Sequence, residues 1–509
     1  MRAKRRPKAV ASGEDVASGE DALPSAQHPL GVQPWGNFLS SSVPDARPAG
    51  LGRLSALTDE ILLRVLGFLS DGRDLARTAC CSRALFALSY HEDLWKALVL
   101  EHDDGSFRFR SSWRETFACL HDPDLERRLL NNERSGADRG PRSAVSARGI
   151  YSDLLYEPWR CATAPVDPAW LERDNMPRED ATLSLQEFRE KYERPNRPVL
   201  IRGACENWEA LRAWTFAGLE AAYGASRVPV VVNDAKMPYA EYARYMREQC
   251  DEQPMYLFDP WILSGREGDW EVPKWFAEDA FAALDPEHRP QHRWLIVGPA
   301  RSGSSFHKDP NATCAFNAVI RGRKKWILFP PSCVPPGVRV SDGGASVASP
   351  LSIAEWLLRF YSQTKDPAAT GGVRPIECIC GAGETVYVPR GWWHLVWNLE
   401  PSIAVTQNFV PASGLRPVLD MLATRDPDLI SGVPARDRPL LYDRLIAALK
   451  VKRPDMLEAM EAMEAEQRKS RKTGLASMFA AADGERPSGG GAAAVSGHST
   501  GGFRFSFTM

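Results

Sequence analysis

The segment Ser304-Ser-Phe-His-Lys-Asp-Pro carries a histidine and a carboxylate one residue apart, His307 and Asp309. In an extended strand, residues i and i+2 project to the same face, so this imidazole and carboxylate converge on one point. Joined by a histidine from elsewhere, they make the 2-His-1-carboxylate triad, which holds Fe(II) on one side and leaves positions open for a cosubstrate and O2. With nine histidines and 65 acidic residues, roughly one His-x-acidic triplet arises by chance. A second is present: His102-Asp103-Asp104 follows Leu100 in a hydrophilic turn with no strand pattern and reads as a solvated loop.

Residues downstream single out His307. Pro389-Arg-Gly-Trp-Trp-His394 follows the apolar Val386-Tyr-Val and places a histidine just beyond a strand. A histidine among tryptophans is more often a packing residue, but His394 has two candidate co-ligands. Lys324 opens the run Lys325-Trp-Ile-Leu-Phe, and alternation puts it on the face of Trp326 and Leu328. A buried lysine is expensive without an anion, which a dicarboxylic cosubstrate would supply; the plain alternative is a strand-end lysine among Arg321, Arg323 and Lys325. The run Ser402 to Phe409 separates into a small polar face of Ser402, Ala404, Thr406 and Asn408 and an opposite face of Ile403, Val405, Gln407 and Phe409. Asn317, alone in Ala315-Phe-Asn-Ala-Val-Ile, needs a partner wherever it is buried.

These groups require a scaffold of strands. Between about 150 and 412, short β-type runs recur among Gly and Pro: Pro198 to Arg202, Val228 to Val232, Arg293 to Val297, Lys325 to Phe329, Glu384 to Val388 and Ile403 to Thr406. Such spacing predicts a sandwich or barrel with flanking helices. Upstream, Thr58 is placed to cap a helix with Asp59 and Glu60 in its first turn and an Ile61, Leu62, Val65, Leu66, Leu69 stripe. This small all-α unit spans 51–100. Residues 1–50 read as a disordered leader with a basic run (Arg2 to Lys8) and a repeated Val-Ala-Ser-Gly-Glu-Asp. The polar stretch within 101–149 reads as a linker or a surface extension, 413–475 as C-terminal helices, and 476–509 as a Gly/Ala/Ser-rich disordered tail.

Composition sets the outer limits. A formal charge of −2 argues against a generic polyanion-binding surface. No run approaches the ~18 apolar residues of a membrane span, and the N-terminus lacks a secretory h-region, so a soluble intracellular protein with no membrane partner is expected. The ten cysteines contain no C-x-x-C pair, which leaves histidines and carboxylates as the metal donors.

The ordered set Tyr256-Leu-Phe-Asp, Val297-Gly-Pro-Ala-Arg-Ser-Gly, His307-Lys-Asp-Pro, Phe316-Asn-Ala-Val-Ile-Arg-Gly-Arg-Lys-Lys-Trp-Ile-Leu-Phe-Pro, Gly383-Glu-Thr-Val-Tyr-Val-Pro-Arg-Gly-Trp-Trp-His and Ala404-Val-Thr-Gln-Asn-Phe strongly resembles the Jumonji-C (JmjC) oxygenases, in particular the arginine demethylase and lysyl hydroxylase subgroup. The resemblance covers 150–412. It implies an α+β fold built on a double-stranded β-helix, a cupin-like jelly-roll barrel, with Fe(II) on His307, Asp309 and His394. It also implies 2-oxoglutarate and O2 as cosubstrates, with Lys324 on the distal carboxylate. Thr406 and Asn317 match cosubstrate contacts of the family; Tyr256 and Ser304 match less closely, Ser304 standing where Thr is common. The implied reaction is lysyl hydroxylation or N-methyl demethylation on a protein substrate, such as a histone, another basic protein or an RNA-associated one. Hydroxylation is the simpler outcome.

Residues 54 to 100, with Leu57-Thr-Asp-Glu-Ile-Leu and Asp93-Leu-Trp95, resemble an F-box in which Leu57-Thr58 replaces the common Leu-Pro opening. The implied partner is a Skp-type adaptor of a cullin ubiquitin ligase. A contrasting expectation is a ligase substrate receptor whose barrel only recognises its target. The basic leader favours the nucleus, with the cytoplasm also open, and the C-terminal helices read as a homodimerisation or barrel-packing element.

Overall fold

The computed structural model describes residues 27–102, 107–135, 145–224, 230–233, 235–341 and 346–482. The basic run, the acidic repeats, the Asp103-Asp104 turn and the tail beyond 482 lie outside these residues.

Fifteen strands follow in chain order: β1 (Arg178–Asp180), β2 (Val199–Arg202), β3 (Val230–Val232), β4 (Ala235–Met237), β5 (Leu257–Asp259), β6 (Arg293–Gly298), β7 (Gly303–His307), β8 (Cys314–Arg321), β9 (Lys324–Phe329), β10 (Arg339–Val340), β11 (Val347–Ala348), β12 (Ile376–Cys380), β13 (Thr385–Val388), β14 (Trp393–Asn398) and β15 (Ser402–Phe409). Nine form one sheet in the order β1-β2-β13-β8-β15-β6-β5-β3-β4, and four form a second, β12-β9-β14-β7. Between the sheets, Leu200, Ala315 and Val319 meet Trp326, Leu328, Cys378, Cys380 and Val396 in one buried cluster. This interior layer explains why whole strands are apolar: both faces of β8, β9 and β14 are covered. The outer face of the four-stranded sheet packs Ile327, Phe329, Leu395 and Trp397 against Trp356 of the helix Ile353–Phe360. The result is the expected jelly-roll barrel with flanking helices.

N-terminal to the barrel, Thr58 caps the helix Asp59–Leu66, its side chain accepting from Ile61 N. Leu62 and Leu66 face inward. The helical unit is not a separate bead. Its buried Leu75, Leu88, Trp95 and Leu98 belong to the same continuous core as Phe109, Trp113, Tyr245, Leu257, Val297 and Phe316.

That continuity corrects two expectations. Residues 27–50 are not a disordered leader: Leu30 and Val32 are buried, Leu30 O accepts from Ala147 N, Gln33 N donates to Ile150 O, and Arg47 pairs with Asp59. The 101–149 segment is not a plain linker either. It contains the helices Trp113–His121 and Pro123–Ser135. Trp113 is fully buried, and its indole Nε1 donates to Asp251 Oδ2 at 3.0 Å while its ring lies 5.6 Å from that of Tyr245. A few large aromatic residues anchor this otherwise polar stretch, so mean polarity misjudges it.

At the C-terminus, Leu415–Ala423, Leu441–Lys452 and Pro454–Ala482 are helical. The last helix runs past 475, so the first part of the expected tail is ordered, and Pro454 at its first position starts it afresh. These helices bury Leu419, Leu422, Leu445, Leu449 and Met456 against Phe281, Leu284 and Val410, which is the barrel-packing role. Among the described residues, no helix is long and apolar enough to cross a membrane.

Candidate active site

His307 ends β7 and His394 is the second residue of β14; they are paired residues across the antiparallel ladder. Asp309 follows β7 by two residues. One donor atom from each of the three lies within 4.8 Å of the others, the only such group of three His, Cys, Asp or Glu residues among those described. His307 Nδ1 stands 2.8 Å from Ser305 O and His394 Nδ1 3.1 Å from Trp392 O. With the proton of each ring on Nδ1 and donated to that carbonyl, Nε2 keeps its lone pair, the arrangement a metal-binding imidazole needs. Burial pushes His307 down to about 3, reinforced by His394, and pushes His394 down to about 4, so both rings are neutral donors at neutral pH. Burial pushes the Asp309 carboxyl up to about 6, and its Oδ2 is buried without a partner. Two neutral imidazoles beside an unsatisfied carboxylate oxygen suit a divalent cation.

Lys324 lies deeper in the same interior. It is 0% exposed, and β9 and β14 pair it directly with Asn398, as they pair Trp326 with Val396 and Leu328 with His394. Its Nζ donates to Tyr256 Oη at 2.5 Å and to Asn398 Oδ1 at 3.1 Å. No carboxylate among the described residues pairs with it, and burial pushes the ammonium down to about 7. Lys325, by contrast, points the other way into Glu377, 2.8 Å off. A buried cation held by two neutral oxygens is incomplete without an anion, so a dicarboxylate fits this end of the site.

The remaining expected residues surround the same space. Asn317 on β8 and Thr406 on β15 are paired across the ladder. Thr406 Oγ1 donates to Phe316 O, while Asn317 is buried with its Oδ1 unpaired. Ser304 sits three residues before His307, an odd spacing that would put the two on opposite faces of a regular strand. The register of β7 shifts, however: His307 opposes His394 while Ser304 opposes Val396. His394 and Val396 share a face of β14, so the irregularity turns Ser304 inward as well. Gly303 permits it: φ is +152°, and an added Cβ would collide with Val396 O.

Asn398 was missed from the sequence, and Asn408 was placed on a polar face without a role in the site. Asn398, which holds Lys324 and donates through Nδ2 to Ser302 Oγ at 2.8 Å, has the same parity along β14 as His394 and could have been found by alternation. Asn408, on the inward face of β15, contacts Asp309 and donates to Thr313 Oγ1.

A barrel interior presenting two histidines, one carboxylate and a lone buried lysine defines a cupin-type metal-dependent oxygenase. The chain belongs to the Jumonji-C family: a cupin-like domain matches residues 185–414 and an F-box-like domain residues 55–101. It is 41% identical over 444 residues to the Arginine-specific demethylase JMJ22 of Arabidopsis thaliana, covering 86% of this chain and 84% of that one. It is 35% identical over 296 residues to the Bifunctional arginine demethylase and lysyl-hydroxylase psr-1 of Caenorhabditis elegans, covering 56% of this chain and 71% of the relative. The 2-oxoglutarate and iron-dependent oxygenase JMJD4 of Gallus gallus is 28% identical over 258 residues, 45% of this chain and 58% of its own.

Proposed function

We propose that the chain oxidises a C–H bond of an arginine or lysine side chain in a protein, with His307, Asp309 and His394 as iron ligands and Lys324 as the anchor of 2-oxoglutarate. It is an Fe(II)- and 2-oxoglutarate-dependent oxygenase. The observation that carries the residue assignment is the presence, in one barrel interior, of a three-donor cluster and a buried ammonium lacking an anion.

Bound iron, 2-oxoglutarate and O2 supply an oxidant strong enough to break a C–H bond. The chain's own residues do the rest. Ser305 O and Trp392 O fix the two imidazoles in one tautomer and orientation, and Asp309 brings the negative charge. Lys324 holds the distal carboxylate, and Tyr256 and Asn398 aim its ammonium. Asn317, Thr406 and Ser304 would offer polar contacts to the cosubstrate, while Trp326, Val319 and Val396 keep the space dry.

Oxidation of a side-chain carbon leaves a hydroxyl group. Oxidation of an N-methyl carbon leaves a carbinolamine that loses formaldehyde, so both outcomes use one site. N-methyl arginine is the preferred target, supported by the likeness to the arginine-specific demethylase JMJ22, which aligns with most of the chain. Lysyl hydroxylation is the second reading, supported by the name of psr-1. Protein reconstituted with Fe(II), 2-oxoglutarate and ascorbate is offered methyl-arginine and lysine peptides, histone sequences among them, and read by mass spectrometry. Loss of 14 Da with succinate supports demethylation and gain of 16 Da supports hydroxylation; neither, and no succinate, sinks the proposal.

The F-box-like unit offers a Skp-type adaptor a prepared face. Ile61, Val65 and Phe68 share the outer side of the helix Asp59–Leu66 and the turn after it, and Phe68 is 78% exposed. Unmodified succinate production with an intact adaptor complex would separate an enzyme from a receptor that only recognises its target. The nucleus is the proposed location, on the basic run Arg2 to Lys8; unchanged nuclear entry without residues 1–10 removes that support.

A further inference from the structure

A second cavity, of about 840 Å³, opens where the helical unit, the 107–135 extension and the barrel meet. Its lining includes none of His307, Asp309, His394 or Lys324, and none of Ile61, Val65 or Phe68. It is therefore neither the catalytic centre nor the proposed adaptor face. The volume lies within the range of ligand-binding clefts.

One wall is apolar: Leu125 and Leu129, one turn apart on the helix Pro123–Ser135, face Pro158 and Trp159 of the helix Asp153–Thr163. The other wall is acidic, with Glu92, Asp93, Glu115, Asp251 and Glu252 against two cations, Lys96 and Arg114. Both cations are already committed. Lys96 stands 3.6 Å from Asp251, and Arg114 lies 4.0 Å over the Tyr90 ring with a guanidinium N–H donated to Tyr90 Oη. Asp93 stands 3.9 Å from His91, whose pKa burial lowers, and its charge also reaches Glu252. Glu92 accepts from the backbone N–H groups of Trp113 and Arg114, and Glu252 accepts from Ser352 Oγ. Among the described residues neither carboxylate has a lysine or arginine within salt-bridge distance, and the Arg114 charge acts on Glu92 more weakly than burial does. Burial pushes the Glu92 carboxyl up to about 7, and Glu252 is raised for the same reason.

We infer that this cavity binds a lysine- or arginine-bearing segment of a partner protein, at a site separate from the catalytic centre. Long cationic side chains have the required form, because their methylene stems can lie along Leu125, Leu129 and Pro158 while their heads reach Glu92 and Glu252. A purely apolar occupant leaves the carboxylates uncompensated, and an anionic one is repelled. The inference goes beyond the catalytic reading and stands whether the oxidised residue is arginine or lysine. Asn233 ties the two regions together physically: it lines the cavity, and its Oδ1 accepts from the backbone N–H of Tyr256 at 2.6 Å.

The test is fluorescence anisotropy on the full chain with a labelled twelve-residue peptide of alternating lysine and leucine or alanine, against the same peptide with glutamate for lysine. Saturable binding of the lysine peptide alone is expected. The isosteric pair Glu92→Gln and Glu252→Gln, which keeps the backbone and Ser352 hydrogen bonds, should weaken it at least tenfold. The apolar pair Leu125→Ala and Leu129→Ala should weaken it several-fold. Peptide-independent 2-oxoglutarate consumption should stay at the wild-type level in the Gln pair. Affinity unchanged in both pairs, equal binding of the glutamate peptide, or no saturable binding overturns the inference. Binding that appears only after removal of residues 1–10 also overturns it, assigning the cavity to the chain's own basic leader.

Discussion

His307 and His394 face each other across the β7–β14 ladder with ring centroids 4.0 Å apart, each Nδ1 against the carbonyl two residues before it. Two buried imidazoles this close cannot both be protonated, and the neighbouring Asp309 carboxyl is held up by burial. The cluster is a liability in the metal-free protein. Asp309→Asn should abolish turnover while leaving the metal-free protein as stable or more so, by about 0.5–2 kcal/mol. Succinate release and thermal melts in chelator check this; a clear loss of stability would mean that Asp309 is structural.

The Lys324 ammonium should make cosubstrate affinity fall with rising pH. Its folded pKa of about 7 lies below the ordinary 10.5, so above neutrality binding an anion must first restore the proton. The affinity for 2-oxoglutarate should then decline by up to about tenfold per pH unit. The stability of the ligand-free protein runs the opposite way: between pH 7 and 10.5 the unfolded chain holds a proton that the folded chain has released, so stability rises with pH in that window. Lys324→Met should remove both trends and weaken 2-oxoglutarate binding by about 2–3 kcal/mol. Titration calorimetry and denaturant melts across pH 6.5–9.5 read them separately.

Asn398→Asp would give Lys324 a carboxylate of its own. The internal ion pair should compete with the cosubstrate, raising the KM for 2-oxoglutarate by about tenfold or more while kcat changes less. If KM is unchanged, Asn398 does not lie beside the anion position.

Gly303→Ala tests the irregular β7 register. Its φ of +152° and the collision of a Cβ with Val396 O leave no room for a side chain. A loss of more than about 2 kcal/mol is expected, together with weakened metal binding, because the shift is what brings Ser304 and His307 to one face. A melt and a metal titration that match wild type would show that the strand can re-register.

The F-box-like unit cannot be tested by excision. Removing residues 54–100 would strip Trp95, Leu88 and Leu98 from the core they share with the barrel. Ile61→Asp or Phe68→Asp should instead abolish adaptor capture in a pull-down and leave succinate production intact, whereas Leu62→Ala, at a buried position, should cost about 2–4 kcal/mol of stability.

His307-x-Asp309 and Lys324 were legible in the sequence through two-residue alternation, and His394 through its place next to an apolar strand with two candidate co-ligands. Thr406 followed by the same alternation rule, Asn317 stood out as the one polar residue of an apolar run, and the Thr58 cap was readable for an equally local reason. Ser304 was out of reach of alternation because a register shift is a property of a strand pair, and only the family likeness pointed to it. The order of residues 27–50 was hidden because Leu30, Gln33 and Trp35 find their partners more than a hundred residues away, in 145–153. The 107–135 extension was underestimated because a few aromatic anchors, not a stripe, hold it.

The shared core has a mechanical meaning. A module on a tether samples many orientations, and what it grips reaches a second site by chance encounter. Here Leu88, Trp95, Trp113, Tyr245 and Phe316 are parts of one packed interior, so the helix bearing Ile61 and Val65 is fixed relative to the barrel mouth as a jaw is fixed to its vice. Whatever docks on that helix inherits a set angle and reach toward a substrate held at the iron site, and bulk added to the substrate, not linker length, would decide whether both can be engaged at once.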